Sequence, residues 1–340
     1  MNRQWLLSYI LSIILCSSAG VLLPEKTKTV SAEFEQAKAV CVMEQESRRI
    51  LYESRGDMRL PMASTTKIAT AITVLDACED ITTEFSIPDE AVGVEGSSVY
   101  LQYGDVYSVE DLLYGLMLRS GNDCATALAL YVSGNIGNFS VKMNETAQRA
   151  GALATSFKNP HGLPCDGHYT TARDLSLITC YAMENPTFRK IVSTKYYEPR
   201  HWKNKNKMLE TCDGGCGVKT GYTKEAGRCL VSAVEREEMC LICTVLSCPN
   251  MFEYSVQLLD DAFAAYKRVK LLSAGEEFYV GEGKQQAIGY SHEDFYYPLM
   301  EGEEEQLEIR TNAVQDKEIV GQIEIYLSNR LLFSGNLYKL

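Results

Sequence analysis

Apolar positions along the chain recur with two different spacings, which predict strands in some segments and helices in others. Short apolar runs predict strands at 39–43, 48–53, 216–222, 228–234 and 239–247. Stretches with helical spacing predict helices at 68–78, 136–151, 171–183 and 251–267, with two more between 109 and 133. Strands, then helices, then strands and a last helix in one chain predict an α+β layer fold.

The hydrophobic pattern changes near Val269. Residues 270–340 contain several strand-like runs without a strong helical period, which predicts a small all-β domain. The acidic run at 301–308 is interpreted as a solvated face or loop within it. The predicted domains are therefore 33–268 and a small C-terminal β domain at 269–340.

The N-terminal residues have the pattern of a secretory signal peptide. Residues 5–23 carry no charge, follow Arg3 and lead into polar sequence rich in small residues. A cleavage site after Ala32 makes residues 1–32 the signal. The alternative is an uncleaved anchor helix, because this apolar stretch is just long enough to span a bilayer. In both cases we expect an extracytoplasmic protein, either secreted or associated with the cell wall or membrane through this segment.

Charge and composition exclude some classes of function. The chain of 340 residues has 33 Lys+Arg and 45 Asp+Glu, a net charge of −12, so we expect no nucleic-acid binding through its overall field. Its four histidines form no H-E-x-x-H pattern, which excludes a helix-borne zinc protease site. Removing Cys16 with the signal leaves an odd number of cysteines, whose spacings match no zinc pattern. Both buried thiols and structural disulfides are compatible with this count.

The first chemical motif is Ser64-x-x-Lys67, at the predicted start of the helix at 68–78. Positions i and i+3 of a helix share a face, so we expect the Lys67 amine beside the Ser64 hydroxyl. A lysine that is buried or next to another cation can act as a base near neutral pH. Unpaired backbone N–H groups at a helix start can also bind an oxyanion. The alternative is an N-capping serine followed by a surface lysine.

The second motif is Ser120-Gly121-Asn122, between two predicted helices. A polar loop at such a corner can place a hydroxyl and an amide in a cleft. The same tripeptide recurs at 133–135 and 334–336, so it is not specific by itself. Only the copy at Ser120 has predicted helices on both sides.

The third motif is Lys219-Thr220-Gly221, which occurs once and is followed by Tyr222 on the predicted strand 216–222. A lysine and a threonine hydroxyl in this position can bind a carboxylate, and the glycine lets a substrate backbone lie close. The alternative is a β-turn with an exposed lysine.

The order of the three motifs is more specific than any one of them. S-x-x-K, S-x-N and K-T-G in this order resemble the low-molecular-mass penicillin-binding proteins, the serine-type D-alanyl-D-alanine carboxypeptidases. The resemblance extends over roughly residues 37–268, through P-M-A-S-T-T-K-I-A-T, L-R-S-G-N-D-C-A, N-P-H-G-L, Y-T-T-A-R-D-L and V-K-T-G-Y-T-x-x-A-G-R. It implies a β-lactamase/transpeptidase-like domain, an antiparallel sheet packed with helices plus a helical subdomain. The β-rich tail matches the family's C-terminal domain in kind and place.

The resemblance also implies an acyl-enzyme mechanism that needs no metal or organic cofactor. Ser64 would attack the penultimate D-alanine carbonyl of a peptidoglycan stem pentapeptide, Lys67 would be its base, and terminal D-alanine would leave. Ser120 and Asn122 would complete the proton path and hold the substrate amide. β-Lactam antibiotics mimic the D-Ala-D-Ala end and would acylate Ser64. Membrane contact is expected only if the N-terminal segment is uncleaved.

The resemblance assigns the third motif to substrate binding. Lys219 would assist electrostatically and Thr220 would bind the terminal carboxylate, while Gly221 would allow close approach of the substrate backbone. The backbone N–H groups of Ser64 and Tyr222 would form the oxyanion hole.

The sequence departs from the family in one place. Family members often carry an arginine shortly after the last core strand, but residues 238–266 contain neither Arg nor Lys. The carboxylate role then falls more heavily on Lys219 and Thr220. His161 in N-P-H-G-L is interpreted as structural and not as part of a Ser-His-Asp triad.

Three other functions share part of this pattern with a carboxypeptidase. A β-lactamase of the same fold usually needs E-x-x-L-N for deacylation, which is absent here, and it lacks an appended β domain. A D,D-endopeptidase shares all three motifs and differs in the shape of its cleft. A non-catalytic penicillin-sensing or wall-binding protein would not need Ser64, Lys67 and Lys219 together.

Overall fold

Strands and helices follow one another in the computed structural model, which describes residues 37–281, 287–314 and 316–339. The strands are β1 (Ala39–Glu44), β2 (Ile50–Ser54), β3 (Glu84–Ser86), β4 (Val106–Ser108), β5 (Tyr196–Tyr197), β6 (Trp202–Lys203), β7 (Gly215–Thr223), β8 (Gly227–Arg236), β9 (Met239–Leu246), β10 (Tyr266–Leu272), β11 (Glu277–Val280), β12 (Ala287–Ser291), β13 (Phe295–Met300), β14 (Leu307–Ala313), β15 (Ile319–Leu327) and β16 (Arg330–Tyr338). The helices are α1 (Lys67–Ala77), α2 (Val109–Tyr114), α3 (Asn122–Ser133), α4 (Ile136–Arg149), α5 (Ala172–Glu184), α6 (Pro186–Ser193), α7 (Met208–Thr211) and α8 (Met251–Ala265). The predicted signal peptide 1–32 lies outside the described residues.

Five antiparallel strands form the main sheet in the order β2-β1-β9-β8-β7. All residues of β1 and β9 are buried, which explains why both are continuous apolar runs in the sequence. Successive residues of a strand face opposite sides of the sheet. Thr244 of β9 is hydrogen-bonded to Ser176 of α5 at 2.8 Å, while its neighbour Cys243 lies next to Ser255 of α8. Helices α5 and α8 therefore cover opposite faces, and β7 is an edge strand.

Helix α1 is buried over residues 67–74, and it packs against α3, α4 and α5. The hydroxyls of its threonines are hydrogen-bonded to neighbouring segments. Thr70 donates to the carbonyl of Pro160 at 2.6 Å, and Thr73 donates to the hydroxyl of Thr146 at 3.0 Å. A helix that is apolar on every side lies inside a protein. Its first residue, Lys67, is therefore held below the surface.

The predicted break between two helices occurs at Ser120. Helix α2 is capped by Ser108, whose hydroxyl accepts a backbone N–H at 3.0 Å. The helix continues over residues 115–119 as a wider π turn and ends at Ser120, which has a left-handed φ of +66°. Helix α3 then begins at Asn122. The second motif thus forms the corner between two buried helices.

The C-terminal part of the chain is all-β, as the sequence predicts. Strand β10 pairs with β13, and a five-stranded antiparallel sheet has the order β11-β12-β16-β15-β14. Its core includes Leu272, Ile323, Ile325 and Leu337. The architecture is an α+β domain, in which helices cover an antiparallel sheet, followed by this β domain. The predicted boundary between 268 and 269 falls inside β10, so the domain limits stay a prediction.

The apolar pattern does not reveal the short elements α6, α7, β5 and β6, because they contain too few positions for a period to emerge. The longer helices and strands agree with their predicted positions to within a few residues. No helix in the described ranges combines the length and the apolar character that a membrane crossing requires.

The cysteines of the described residues are free thiols. Eleven occur between Cys41 and Cys248, most of them buried, while Cys165 is exposed. Buried thiols pack much as small apolar side chains do. Of the two interpretations of the cysteine count, the structure supports buried thiols over structural disulfides.

Candidate active site

Ser64 lies in a short 3₁₀ helix, Ala63–Thr66, that leads directly into α1. Ala63 has a left-handed φ of +49°, a strained backbone conformation in the turn that presents the serine. Lys67 is the first residue of α1, and its Nζ donates a hydrogen bond to Ser64 Oγ at 3.0 Å. The hydroxyl and the amine lie side by side, at the spacing that the sequence predicts.

The amine of Lys67 is fully buried and surrounded by oxygen acceptors. Besides Ser64 Oγ, it donates to Asn122 Oδ1 at 2.7 Å and to the carbonyl of His161 at 2.6 Å. Burial lowers the pKa of Lys67 well below the ordinary lysine value, and the positive charge of Lys219 lowers it further. Because a lowered pKa favours the neutral amine over the ammonium form, Lys67 is suited to accept the Ser64 proton.

The second motif provides Asn122, which binds the Lys67 amine, and Ser120, which lines the cleft. Asn122 is held in place by its own N–H, which donates to the carbonyl of Ser97 at 2.7 Å, and by Nδ2, which donates to the carbonyl of Glu95 at 2.5 Å. Ser120 lines the cleft, and within the described residues its hydroxyl is not hydrogen-bonded to Lys67 or Lys219. The motif therefore fixes Lys67 through the amide and leaves the Ser120 hydroxyl facing the cleft.

Asp123 is a buried residue that none of the three sequence motifs includes. Its carboxylate accepts hydrogen bonds from Ser98 Oγ at 2.6 Å, from Val99 N at 3.0 Å and from Leu101 N at 3.2 Å. The carboxylate thus ties the loop 95–101 to the start of α3. The available signal in the sequence was an acidic residue directly after S-G-N, at a helix N-terminus where negative charge is favourable.

Lys219 and Thr220 lie on the edge strand β7. Lys219 is buried, and its Nζ donates to the carbonyl of Thr220 at 2.9 Å. Burial lowers the pKa of Lys219 to about 7, with a contribution from the positive charge of Lys205. The predicted alternative of an exposed lysine in a β-turn is therefore wrong.

Gly221 allows β7 to pass close to the nucleophile. A Cβ at this position would lie 3.1 Å from Ser64 N and 3.0 Å from the carbonyl oxygen of Met62. These contacts involve backbone atoms, which cannot move aside as a flexible side chain would. The absence of a side chain thus lets the strand pass next to the N–H of Ser64 at the residue before Tyr222.

A cleft of about 470 Å³ opens above the serine. It is lined by Ser64, Ser97, Ser120, Lys205, Thr220, Gly221, Tyr222, Arg228, Met251 and Phe252. Five of the eight predicted site residues are among these, while Lys67, Asn122 and Lys219 are buried beneath them. Lys205 and Arg228 were not predicted, because an isolated cation outside a motif gives no local signal of its position.

His161 contributes through its backbone. Its carbonyl binds Lys67, and its ring Nδ1 accepts the N–H of Leu163 at 3.2 Å. Burial lowers the pKa of the imidazole to about 4, and the charge of Lys67 adds to this effect. The ring is therefore neutral near pH 7, which agrees with its interpretation as a structural residue.

This arrangement has the components of acyl transfer to a serine. A hydroxyl lies next to a buried amine, a second buried lysine supplies positive charge, and a strand edge with free cleft space can receive an extended peptide. The described part of the chain contains no group of three or more His, Cys, Asp or Glu side chains that could hold a metal ion.

Comparison with known proteins gives consistent matches. The sequence pattern that defines the D-alanyl-D-alanine carboxypeptidase family, peptidase S11, matches residues 26–250. The D-alanyl-D-alanine carboxypeptidase DacF of Bacillus subtilis is 30% identical over 278 residues, which cover 77% of this chain and 72% of DacF.

Solved structures extend the likeness to the fold. Penicillin-binding protein 5 of Haemophilus influenzae superimposes with a TM-score of 0.77 at 28% identity, over 89% of this chain and 96% of that one. A mutant of the Streptomyces K15 DD-transpeptidase superimposes with a TM-score of 0.64 at 33% identity, over 67% of this chain and 98% of that one. The longer match to penicillin-binding protein 5 includes a C-terminal β domain.

Proposed function

The chain belongs to the D-alanyl-D-alanine carboxypeptidase family, peptidase S11, and from this premise we propose that its reaction proceeds through an acyl-enzyme on Ser64. It is a serine-type D-Ala-D-Ala carboxypeptidase. Peptidoglycan stem peptides are the substrates typical of this family, and its penicillin-binding members bind β-lactams. Our finer proposal is a stem pentapeptide from which the terminal D-alanine is removed.

In the acylation step, Ser64 Oγ attacks the carbonyl carbon of the penultimate D-alanine while its proton passes to Lys67 Nζ. Negative charge develops on the carbonyl oxygen, between the backbone N–H groups of Ser64 and Tyr222. The C–N bond to the terminal D-alanine then breaks. Its amine leaves with a proton delivered from Lys67 through the Ser120 hydroxyl.

In the deacylation step, water attacks the ester carbonyl, and its proton passes to the basic group at Lys67. The ester bond to Ser64 Oγ breaks and the hydroxyl regains a proton. Asn122, whose side-chain amide binds Lys67 and the carbonyl of Glu95, keeps the lysine in place, and Thr220 receives the terminal carboxylate. Lys219 supplies positive charge, and Gly221 leaves room for the substrate backbone.

The observation that carries this proposal is the 3.0 Å hydrogen bond between Lys67 Nζ and Ser64 Oγ, with the amine fully buried and the serine open to the cleft. A surface lysine beside a capping serine would remain a charged ammonium and would not act as a base. Lys67 differs from such a surface lysine, because burial and the neighbouring cation lower its pKa.

The family acts outside the cytoplasmic membrane. We propose that residues 1–32 direct export, with the enzyme secreted or held at the cell wall or membrane through this segment. The domain limits 33–268 and 269–340 belong to the same proposal.

The test measures acylation and turnover with the same protein. The purified protein is incubated with fluorescent penicillin and weighed by intact mass spectrometry, and release of D-alanine from a D-Ala-D-Ala pentapeptide is followed in parallel. We expect a one-to-one adduct and D-alanine release, both lost in Ser64→Ala. Ser133→Ala, in a copy of the S-G-N tripeptide outside the cleft, is the matched control and should behave as wild type.

Each alternative function has its own outcome in this test. Rapid hydrolysis of penicillin without an accumulating adduct would favour a β-lactamase. An adduct with cleavage of cross-linked dimers, but not of free pentapeptide, would favour a D,D-endopeptidase. A folded wild-type protein that gives neither adduct nor product would indicate a non-catalytic wall-binding protein and overturn the proposal.

A further inference from the structure

Arg228 is a cation of the cleft wall that no motif includes. It lies at the start of β8, directly opposite Tyr222 of β7 in the strand pairing. Its side chain is exposed and lines the cleft that contains Ser64 and Thr220. Its position follows from the β7–β8 hairpin and not from the three motifs themselves.

Strand geometry directs Arg228 and Thr220 toward the same side. In the register of β7 and β8, Thr220 is opposite Leu230 and Tyr222 is opposite Arg228. Residues two apart in a strand share a face, so Thr220, Tyr222 and Arg228 project from one face of the sheet. Thr220 and Arg228 are diagonal neighbours, a separation of about 7–8 Å that a long side chain can span.

The guanidinium of Arg228 has no anionic partner within the described part of the chain. No ion pair or side-chain hydrogen bond involves it there, in contrast to Arg49, Arg173 and Arg200, which each bind a carboxylate. A second pocket that Arg228 also lines includes Lys38, another cation. This rim of the cleft therefore presents unneutralised positive charge, which attracts an anionic ligand group.

The segment after β9 lacks a cation of its own. It contributes the apolar side chains of Met251 and Phe252 to the cleft. It also fixes the arginine, because Cys248 N donates to the carbonyl of Arg228 at 2.7 Å. Arg228 of β8 thus places a positive charge beside the segment after β9, which has no cation of its own.

Lys219 is less available to a ligand than Arg228 is. Its ammonium is buried beneath the cleft and donates to the carbonyl of Thr220. The other cation of the cleft wall, Lys205, belongs to the loop after β6, where its N–H donates to the carbonyl of Leu118. It is close enough to Lys67 and Lys219 to lower the pKa of both.

We propose that Arg228 binds the terminal carboxylate of the substrate together with Thr220, and so makes the enzyme specific for peptides with a free C-terminus. The inference rests on the proposed carboxypeptidase function. A guanidinium can hold a carboxylate through two parallel hydrogen bonds, which gives orientation as well as attraction.

The test removes the charge from the enzyme and from the substrate in turn. Wild type and Arg228→Gln are assayed with a peptide ending in D-Ala-D-Ala and with the same peptide ending in D-alaninamide. We expect the substitution to lower kcat/KM for the acid about 10- to 100-fold, and to change kcat/KM for the amide less than about 3-fold. Arg228→Lys should lose less than Arg228→Gln because it retains the charge.

Lys224→Gln is the matched control, since Lys224 is an exposed cation on the same hairpin that does not line the cleft. It should keep the wild-type preference for the acid. An unchanged ratio of acid to amide in Arg228→Gln would overturn the carboxylate role. An equal loss with both substrates would also overturn it, by pointing to a purely structural effect.

A second readout separates this inference from the proposed function. Benzylpenicillin and its methyl ester acylate the serine without any need for peptide turnover. Arg228→Gln should slow acylation by the acid and not by the ester. If wild type reacts with neither peptides nor penicillins, the proposed function fails and this inference fails with it. If wild type reacts and Arg228→Gln matches it on both penicillins, only this inference fails.

Discussion

Two buried lysines determine the chemistry at the residue scale. Burial is the main cause of the lowered pKa at both positions; the charge of Lys219 adds to it at Lys67, and the charge of Lys205 adds to it at Lys219. The pKa of Lys67 falls well below its ordinary value, while that of Lys219 falls to about 7. The lowered pKa favours the neutral base at Lys67, while Lys219 keeps its positive charge below about pH 7.

The pH dependence of acylation should reflect both lysines. We expect the second-order rate of penicillin acylation to rise with pH as Lys67 loses its proton, and to fall above about pH 7 as Lys219 loses its charge. Lys219→Gln should react more slowly and should lack the falling limb. Stopped-flow measurement across the pH range checks this, with Lys224→Gln as the control. A falling limb that persists in Lys219→Gln would contradict the assignment.

Three elements converge at the scale of secondary structure. The 3₁₀ turn before α1 presents Ser64, the corner between α2 and α3 presents Ser120, and the edge strand β7 passes beside both. Two contacts between elements control this convergence: the close approach at Gly221 and the anchoring of the loop 95–101 by Asp123. Each can be tested separately.

Gly221→Ala should impair acylation by moving β7 away from the serine. The added Cβ would meet backbone atoms of Ser64 and Met62 at 3.0–3.1 Å, so the strand has to shift. We expect at least a 10-fold lower acylation rate, since small displacements of catalytic groups are costly. Gly137→Ala in α4 is the control, because its nearest neighbour is the end of a side chain at 3.3 Å. Equal acylation rates for the two variants would refute the requirement for close approach.

Asp123→Asn should loosen the loop over the second motif. The contacts from Ser98, Val99 and Leu101 all reach Oδ2, while Oδ1 accepts from Cys124 N at 2.9 Å, so the amide nitrogen of asparagine would face an N–H donor and the negative charge would be lost. We expect a loss of about 1–3 kcal/mol in the free energy of unfolding, together with slower D-alanine release. Denaturant titration and the peptide assay measure these effects. Asp105→Asn, which affects one exposed contact to Gln102, should leave turnover at the wild-type rate.

At the scale of the whole molecule, Arg49 connects the main sheet to the C-terminal strands. It lies between β1 and β2, and it donates to both carboxylate oxygens of Glu303 at 2.9 and 2.6 Å and to the carbonyl of Pro298 at 2.6 Å. Its guanidinium also lies over the rings of Tyr266 and Tyr297. One side chain thus joins residues more than two hundred positions apart in the sequence.

Arg49→Gln should lower stability without altering the chemistry. The substitution leaves the Glu303 carboxylate without its cation, and we expect a loss of about 1–3 kcal/mol. Thermal unfolding measures this, while penicillin acylation at room temperature should remain within about twofold of wild type. Arg310→Gln, which breaks an exposed pair within β14, should leave the melting temperature unchanged. A melting temperature equal to that of wild type in Arg49→Gln would contradict a joining role.

Local patterns in the sequence determined the long helices, the strands of the main sheet and the three motifs. Ser64 and Lys67 are three positions apart at a helix start, so their side chains lie on the same face. Ser120 ends the helix before it with a left-handed backbone conformation. These features depend on neighbours within a few residues, so spacing alone can indicate them. The all-β tail is predictable for the same reason.

Only the tertiary structure decided which distant groups complete the site. The carbonyl of His161 on the Lys67 amine and the Asp123 carboxylate on the loop 95–101 depend on segments brought together by folding. The same holds for Arg228, whose place beside Thr220 follows from the register of two strands. The lowered pKa of Lys67 likewise requires burial by the rest of the chain. Burial and long-range contacts arise from packing, and residue spacing along a sequence carries no record of them.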